Sequence, residues 1–254
     1  MDRHVVILIT GVNKGIGQEL ARRYLLRPNH TVVGSIRCDE SSPEVADLKA
    51  TQPAPGSQLH LVHIESTSAS DPAEAVEAIK GLGIEHLDVV VANAGGGPFP
   101  VIPLDSVGVH DMMTTFQTNA VSPLLLYQAC KPLLEKASSP KWISVSTGGG
   151  SISMIGAIRS YIGPAYGASK AALNWITSLV QTGPGNTVAQ MFGMEKAPHT
   201  IEHCVERMMN IASVSFISSN MSQLLTPSAQ IDRASRQETS GKFIRAIEGT
   251  EMDW

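Results

Sequence analysis

The feature that most constrains the fold is a regular alternation between short apolar runs and longer segments of helical periodicity. The apolar runs predict strands at 4–10, 31–37, 59–64, 87–93 and 141–146. The segments between and after them predict helices at 16–27, 43–50, 72–81, 108–136 and 165–180. Strands that are apolar throughout are typical of parallel sheets covered on both faces. We therefore predict an α/β fold, a doubly wound parallel sheet with helices on both faces.

The remainder of the chain shows a weaker pattern, and residues 181–231 are atypical for such a fold. A helix is predicted at 200–212 and a final strand at 242–247. The stretches that contain proline and glycine are only as long as loops, and none has the length of a linker. We therefore expect residues 1–254 to form a single domain.

Charge and cysteine content exclude several classes of function. Nineteen Lys and Arg residues against 23 Asp and Glu give a net charge of -4, which offers no basic surface for nucleic acid.

No run approaches the ~20 apolar residues that span a bilayer. The cysteines Cys38, Cys130 and Cys204 form neither a disulfide framework nor a zinc motif, and His199 and His203 lack a third ligand. We expect a cytoplasmic protein with no metal site and no membrane segment.

A glycine-rich turn follows the first predicted strand directly. Gly11, Gly15 and Gly17 have the spacing Gly-x-x-x-Gly-x-Gly and lead into a helix. Glycines let a backbone approach a pyrophosphate closely, and the positive end of a helix dipole favours its charge. The turn therefore predicts a dinucleotide site in a Rossmann-type sheet. We expect its contacts to come from Gly11, Val12, Asn13, Lys14, Gly15, Ile16 and Gly17.

The end of the second strand indicates which dinucleotide is bound. An acidic residue there binds the ribose hydroxyls of NAD, whereas a basic residue accommodates the extra phosphate of NADP. Arg37 stands at this position and Lys14 lies in the glycine turn, which favours NADP(H). Asp39 and Glu40 follow closely, and an ordinary surface arginine is the alternative interpretation of Arg37.

Three further motifs follow in order along the chain. They are Asn93-Ala94-Gly95 after the fourth strand, Thr118-Asn119 within a helix, and Tyr166-x-x-x-Lys170 after the fifth strand. With the glycine turn, they make residues 4–180 resemble the short-chain dehydrogenase/reductase family. The resemblance is to its fungal carbonyl reductases related to norsolorinic acid ketoreductase.

Tyr166 and Lys170 are four residues apart, so both side chains leave one face of a helix. A nearby ammonium favours the phenolate, so we expect Lys170 to lower the pKa of Tyr166 and to suit it for proton transfer. The resemblance implies that Lys170 also binds the nicotinamide ribose. It further implies that Asn119 holds a water that relays protons.

The family resemblance implies other site residues. A hydroxyl beyond the fifth strand binds the substrate carbonyl, and matching of the strand without gaps gives Thr147 this position. Ser146, beside it, and Ser153 are the alternatives. Residues Asn93, Ala94 and Gly95 would line the adenosine side of the cofactor groove. Glu65 would contact adenine, or else be a solvated loop carboxylate.

The family places a sixth strand after the tyrosine helix, and this chain has none there. The helix runs to residue 180, and Pro184-Gly185 stands where the bend after that strand would be. Unpaired backbone groups on a buried neighbouring strand would be costly. Either the fifth strand pairs with residues 242–247, or residues 214–217 insert as a substitute. The third alternative is a variant or mispredicted reading frame that folds poorly.

These observations together predict an NADPH-dependent ketoreductase that acts on a small-molecule carbonyl in secondary metabolism. The alternative is a non-catalytic homologue that binds NADP(H) or a protein partner, because a strand and the usual serine are absent. The resemblance also implies a homodimer formed through the helices at 108–136 and 165–180.

Overall fold

The computed structural model describes residues 4–158 and 163–179, and three short strands at 211–213, 243–245 and 251–252. The strands are β1 (Val5–Thr10), β2 (His30–Ile36), β3 (Gln58–His63), β4 (Val89–Ala92), β5 (Lys141–Ser146), β6 (Ile211–Ser213), β7 (Phe243–Arg245) and β8 (Glu251–Met252). The helices are α1 (Gly15–Leu25), α2 (Pro43–Lys49), α3 (Asp71–Gly81), α4 (Val109–Phe116), α5 (Ser122–Leu134), α6 (Ile155–Ile158) and α7 (Pro164–Leu179).

All eight strands belong to one sheet, in the order β3-β2-β1-β4-β5-β6-β7-β8. Every neighbouring pair is parallel except β7 and β8, which are antiparallel. The predicted doubly wound parallel sheet is therefore confirmed. The strand order reverses between β1 and β4, and ligands of such sheets bind at the carboxyl ends of the strands at this point.

Alternate residues of β1 face opposite sides of the sheet and enter two separate cores. Val6 and Leu8 belong to the core beneath α3 and α5, whereas Ile7 and Ile9 belong to the core beneath α1 and α2. All four side chains are buried. Helices thus cover both faces of this strand, which explains why its sequence is apolar throughout.

The sixth position of the sheet is occupied, although the tyrosine helix is not followed directly by a strand. β6 lies between β5 and β7, and Ser144, Val145 and Ser146 pair in parallel with Ile211, Ala212 and Ser213. Direct pairing of β5 with the final strand was therefore a wrong expectation. A distant segment satisfies the backbone groups of β5, as a buried central strand requires.

The predicted boundaries in this part of the chain change accordingly. The helix predicted at 200–212 is wrong for residues 211 and 212, which are strand, and its other residues lie outside the described part of the chain. The substitute strand predicted at 214–217 also lies outside the described residues, directly after β6. The final strand predicted at 242–247 is confirmed at its centre by β7. β8, which was not predicted, pairs with β7.

The long helix predicted at 108–136 is interrupted. A π-helical turn, Gln117–Val121, separates α4 from α5, and Asn119 lies within it. Such turns insert one extra residue into a helix, which re-aims the side chains near it, and they are frequent at functional sites.

Candidate active site

A cleft of about 820 Å³ opens at the carboxyl ends of the strands, where the strand order reverses. Most of the predicted cofactor residues line it, and so do three of the predicted catalytic residues. The predicted residues along the cleft are Gly11, Asn13, Lys14, Gly15, Ile16, Arg37, Glu65, Asn93, Ala94, Gly95, Ser146, Tyr166 and Lys170. Distant parts of the sequence therefore meet at one site.

The glycine turn has the backbone geometry that its composition predicts. Gly11 and Gly15 have φ values of 72° and 62°, in the left-handed region. A Cβ on Gly17 would lie 2.3 Å from the Gly11 carbonyl oxygen and 2.5 Å from the Asn93 amide nitrogen. A side chain would thus fill the turn, which fits a backbone that cradles a pyrophosphate at the start of α1.

Val12 and Gly17 do not line the cleft, unlike the other five turn residues. Val12 is fully buried, and a Cβ on Gly34 would lie 2.5 Å from its Cγ2 atom. Val12 and Gly17 therefore contribute to the packing of the turn and not to the surface of the cleft. The prediction that Val12 contacts the nucleotide is not supported by this packing, since its side chain faces the core.

Thr10 joins the glycine turn to the Asn93-Ala94-Gly95 segment. Its hydroxyl accepts hydrogen bonds of 2.9 Å from the backbone N–H groups of Asn93 and Ala94. In return, the Asn93 side-chain amide donates to the Thr10 carbonyl oxygen at 2.8 Å. These bonds fix the ends of β1 and β4 relative to each other.

The adenosine end of the cleft carries the two predicted cations. Lys14 and Arg37 are both exposed, so a phosphate at this end would meet two mobile positive charges. Glu65 accepts hydrogen bonds from the backbone N–H and the hydroxyl of Thr67, at 3.1 and 3.2 Å. Its carboxylate thus stabilises its own loop, and the adenine contact stays a prediction.

Asn119 is fully buried behind the cleft, and its side chain binds two other segments. Its Oδ1 accepts from Gly96 N–H at 2.9 Å, while its Nδ2 donates to the Gly96 carbonyl at 2.7 Å and to Ser169 Oγ at 2.8 Å. A Cβ on Gly95 would lie 2.8 Å from Asn119 Oδ1. Asn119 therefore holds the loop after β4 against α7, and the predicted water relay remains untested.

Tyr166 and Lys170 lie on α7 and both reach the cleft. Lys170 is buried and its Nζ donates to the Val145 carbonyl at 2.8 Å, while lying 5.9 Å from the centre of the Tyr166 ring. Burial lowers the pKa of Lys170 to about 8 and raises the pKa of Tyr166. The expected lowering of the tyrosine pKa is therefore wrong in this structure, because loss of solvent outweighs an ammonium directed elsewhere.

The three candidate hydroxyls differ in their hydrogen bonds. Ser146 is buried and donates to Asn174 Oδ1 at 2.6 Å, and the exposed Ser153 shares a 3.0 Å hydrogen bond with Ser151. Thr147 accepts a 3.3 Å bond from Gly149 N–H at the start of a short 3-10 turn. Ser146 lines the cleft, whereas Thr147 lies beyond its wall.

A model of the short-chain dehydrogenase family matches residues 5–187, which is most of the chain. This chain belongs to that family. It is therefore an oxidoreductase, as the sequence motifs predicted.

Relatives of this short-chain dehydrogenase include fungal enzymes that match almost end to end. Short-chain dehydrogenase srdF of Neurospora crassa is 45% identical over 269 aligned positions, covering 98% of this chain and 97% of its own. The norsolorinic acid ketoreductase nor1 of Dothistroma septosporum is 33% identical and covers 100% of this chain and 94% of its own.

A solved structure has the same fold as this short-chain dehydrogenase. The NADPH-bound carbonyl reductase from chicken fatty liver has a TM-score of 0.76 at 22% identity, covering 100% of this chain and 96% of its own.

One wall of the cleft of this short-chain dehydrogenase consists of residues to which the sequence motifs gave no role in binding or catalysis. His110, Thr114 and Thr118 line it from α4 and the turn that follows. Their spacing of four residues places them along one helix face, and polar residues repeated at this spacing within a largely apolar helix were the available signal.

Among the described residues, no three His, Cys, Asp or Glu side chains gather as a metal site. Within the same part of the chain, no helix combines the length and apolar character needed to cross a membrane. His199, His203 and Cys204 lie outside the described residues.

Replacing Gly17 by Ala tests whether the glycine turn holds the dinucleotide. Because the added methyl would overlap the Gly11 carbonyl, we expect the affinity for NADPH to fall at least about tenfold, equivalent to ~1.4 kcal/mol. Gly81→Ala is the control, since a Cβ at that helix position has open space around it. Titration of both variants by nicotinamide fluorescence measures the effect, and unchanged affinity in Gly17→Ala would place the dinucleotide elsewhere.

Proposed function

We propose that this protein is an NADPH-dependent carbonyl reductase that converts a ketone to a secondary alcohol in secondary metabolism. The observation that carries the proposal is the position of Tyr166. Its side chain lines the dinucleotide cleft and also a smaller apolar pocket next to it. A proton donor between a cofactor site and an apolar site suits the reduction of a carbonyl group.

The residues of the cleft fit a nicotinamide dinucleotide. The left-handed glycines and the close approach around Gly17 leave room for a pyrophosphate, and Gly95 leaves room beside Lys170. Arg37 and Lys14 would meet the extra phosphate of NADP. When bound, NADPH supplies the hydride that the carbonyl carbon accepts.

Tyr166 then acts as the general acid. Burial raises its pKa, so the phenol is neutral at physiological pH, which is the form that donates a proton. The carbonyl carbon gains a hydride, its oxygen gains the Tyr166 proton, and the products are the alcohol and NADP⁺. Lys170 would bind the nicotinamide ribose, and the phenol would regain its proton from solvent through Lys170 and a water at Asn119.

Thr147 is the proposed donor to the substrate carbonyl. Ser146 already donates its proton to Asn174, whereas the Thr147 hydroxyl accepts a hydrogen bond from Gly149 N–H. A hydroxyl that accepts from a backbone N–H still has its own proton to donate. Thr147 does not line the cleft in this structure, so its side chain would have to turn toward the cleft when a substrate binds.

The relatives support this choice of reaction and cofactor. Three of them carry the name norsolorinic acid ketoreductase, and the solved chicken carbonyl reductase binds NADPH. We further propose a cytoplasmic homodimer formed through α4, α5 and α7. The exposed side chains of Met113 on α4 and Trp175 on α7 support an interface there.

Replacement of Tyr166 by Phe removes the proposed acid while keeping the ring. We expect kcat for ketone reduction to fall about 10²- to 10⁴-fold, because phenylalanine has no hydroxyl to donate the proton. Binding of NADPH should change less than about threefold, as measured by fluorescence titration. Tyr127→Phe is the matched control, since that ring packs edge-on against Trp142 away from the cleft. Retained turnover in Tyr166→Phe would contradict the mechanism.

Replacement of Arg37 by Glu should change the cofactor preference. The variant loses a cation for the extra phosphate and gains a carboxylate for the ribose hydroxyls. We expect the ratio of NADPH to NADH efficiency to fall ~10- to 100-fold, as loss of one charged hydrogen bond predicts. Arg22→Glu makes the same charge change on α1 beside Glu19, and its ratio should stay that of the wild type. An unaltered ratio in Arg37→Glu would favour the surface-arginine interpretation.

The pH dependence of reduction follows from the burial of Lys170. Its pKa is lowered to about 8, so the ammonium is present below pH 8 and is lost as pH rises above it. Because the pKa of Tyr166 is raised, the phenol loses its proton at a higher pH than Lys170 does. We expect kcat/KM to be level below pH 7 and to fall about tenfold per pH unit well above pH 8. In Lys170→Arg, any remaining activity should lose this fall, and a wild-type profile that is flat to pH 10 would contradict the assignment.

A further inference from the structure

A second, smaller pocket of about 260 Å³ lies directly beside the dinucleotide cleft. The two share Gly97, Pro98 and Tyr166, so the catalytic phenol forms part of the wall between them. A group held in the small pocket therefore lies next to the proton donor. The small pocket is lined by Gly97, Pro98, Phe99, Val101, Ile102, Val107, Gly163, Ala165 and Tyr166.

Close contacts hold this pocket together at two points. A Cβ on Gly97 would lie 3.2 Å from Cδ2 of the Tyr166 ring, and a Cβ on Gly163 would lie 2.9 Å from Cγ1 of Val101. The loop after β4 therefore packs against the start of α7 through glycines at both contacts. Larger residues there would push the loop away and open the pocket.

The described lining is chemically uniform. Apart from the Tyr166 hydroxyl, no side chain among these described lining residues carries a charge or a hydrogen-bonding group. A charged substrate group placed here would lose hydration without gaining an oppositely charged side chain among the described lining residues, which is unfavourable. An apolar group would lose water at no such penalty.

Two apolar side chains of the loop after β4 are exposed to solvent. Phe99 is 96% exposed and Val101 is 47% exposed, and both lie on the rim of the pocket. Exposed apolar residues around a concave site are typical of a ligand-binding groove. A flat or extended apolar molecule that enters the pocket would cover them.

We propose that this pocket binds the body of the substrate, and that the substrate is a neutral ketone with its carbonyl attached to a largely apolar ring system or chain. The carbonyl oxygen meets the Tyr166 hydroxyl, and the apolar body lies against Phe99, Val101 and Val107. Hydride addition at the carbonyl carbon and protonation of its oxygen give a neutral secondary alcohol. This proposal rests on the reductase function proposed above.

Three ketones that differ only in the attached body test it. They are 2-acetylnaphthalene, its 6-carboxylate and acetone, each given to the full-length protein with NADPH. We expect kcat/KM for 2-acetylnaphthalene to exceed that for acetone at least ~100-fold and that for the carboxylate at least ~10-fold. Equal or greater efficiency with the carboxylate or acetone would overturn the inference and leave the reductase function standing.

Variants of the loop separate the pocket from the rest of the site. Val101→Asp places a charge in the pocket, and Phe99→Ser removes the exposed ring with little risk to folding. Each should lose at least ~10-fold more kcat/KM on 2-acetylnaphthalene than on acetone. Leu104→Asp is the matched control, because Leu104 is 80% exposed on the same loop and does not line the pocket. Equal losses for both ketones in both pocket variants would overturn the inference.

The failure of the underlying function has a different signature. Wild-type protein that binds NADPH tightly and reduces none of the three ketones would overturn the reductase function, and the substrate inference with it. Binding of NADPH, measured in every variant by fluorescence titration, shows that each protein is folded.

Discussion

The hydroxyl of Thr10 holds together the two strand ends between which the cleft opens. A parallel sheet whose strand order reverses leaves a gap at this point, because the loops of its two halves run apart. Across this gap, the Thr10 hydroxyl accepts hydrogen bonds from the backbone N–H groups of Asn93 and Ala94. The Asn93 side-chain amide donates a third hydrogen bond, to the Thr10 carbonyl oxygen. These three hydrogen bonds fix the glycine turn after β1 relative to the Asn93-Ala94-Gly95 segment after β4.

Burial determines the chemical character of the tyrosine and lysine pair. Their spacing along α7 brings Tyr166 and Lys170 to the cleft. Burial there raises the pKa of Tyr166 and lowers the pKa of Lys170. The result is a neutral phenol beside an amine that titrates near physiological pH. A neutral phenol is the form that donates a proton, so this environment suits Tyr166 to the role of general acid proposed above.

The sequence was most informative where chemistry depends on local spacing. The strands up to β5, the glycine turn and the Tyr166-Lys170 pair were all predictable, because periodicity and motif spacing encode them directly. β6 was not, since its three residues form a strand only through pairing with β5 and β7. Two further features could not be predicted: Ser146 donates its proton to Asn174, and Tyr166 is partly buried. Both depend on which distant elements pack together.

The origin of β6 affects the order in which the site can assemble. Ser144 and Ile211 are partners in the sheet but far apart in the chain, so a long loop must close before they pair. During synthesis, the dinucleotide half of the sheet is complete once β4 has emerged. The edge of β5, which carries the backbone carbonyl of Val145 that holds Lys170, has no partner until residue 213 has left the ribosome. The half of the cleft that carries the glycine turn can therefore form well before the half that carries Tyr166 and Lys170.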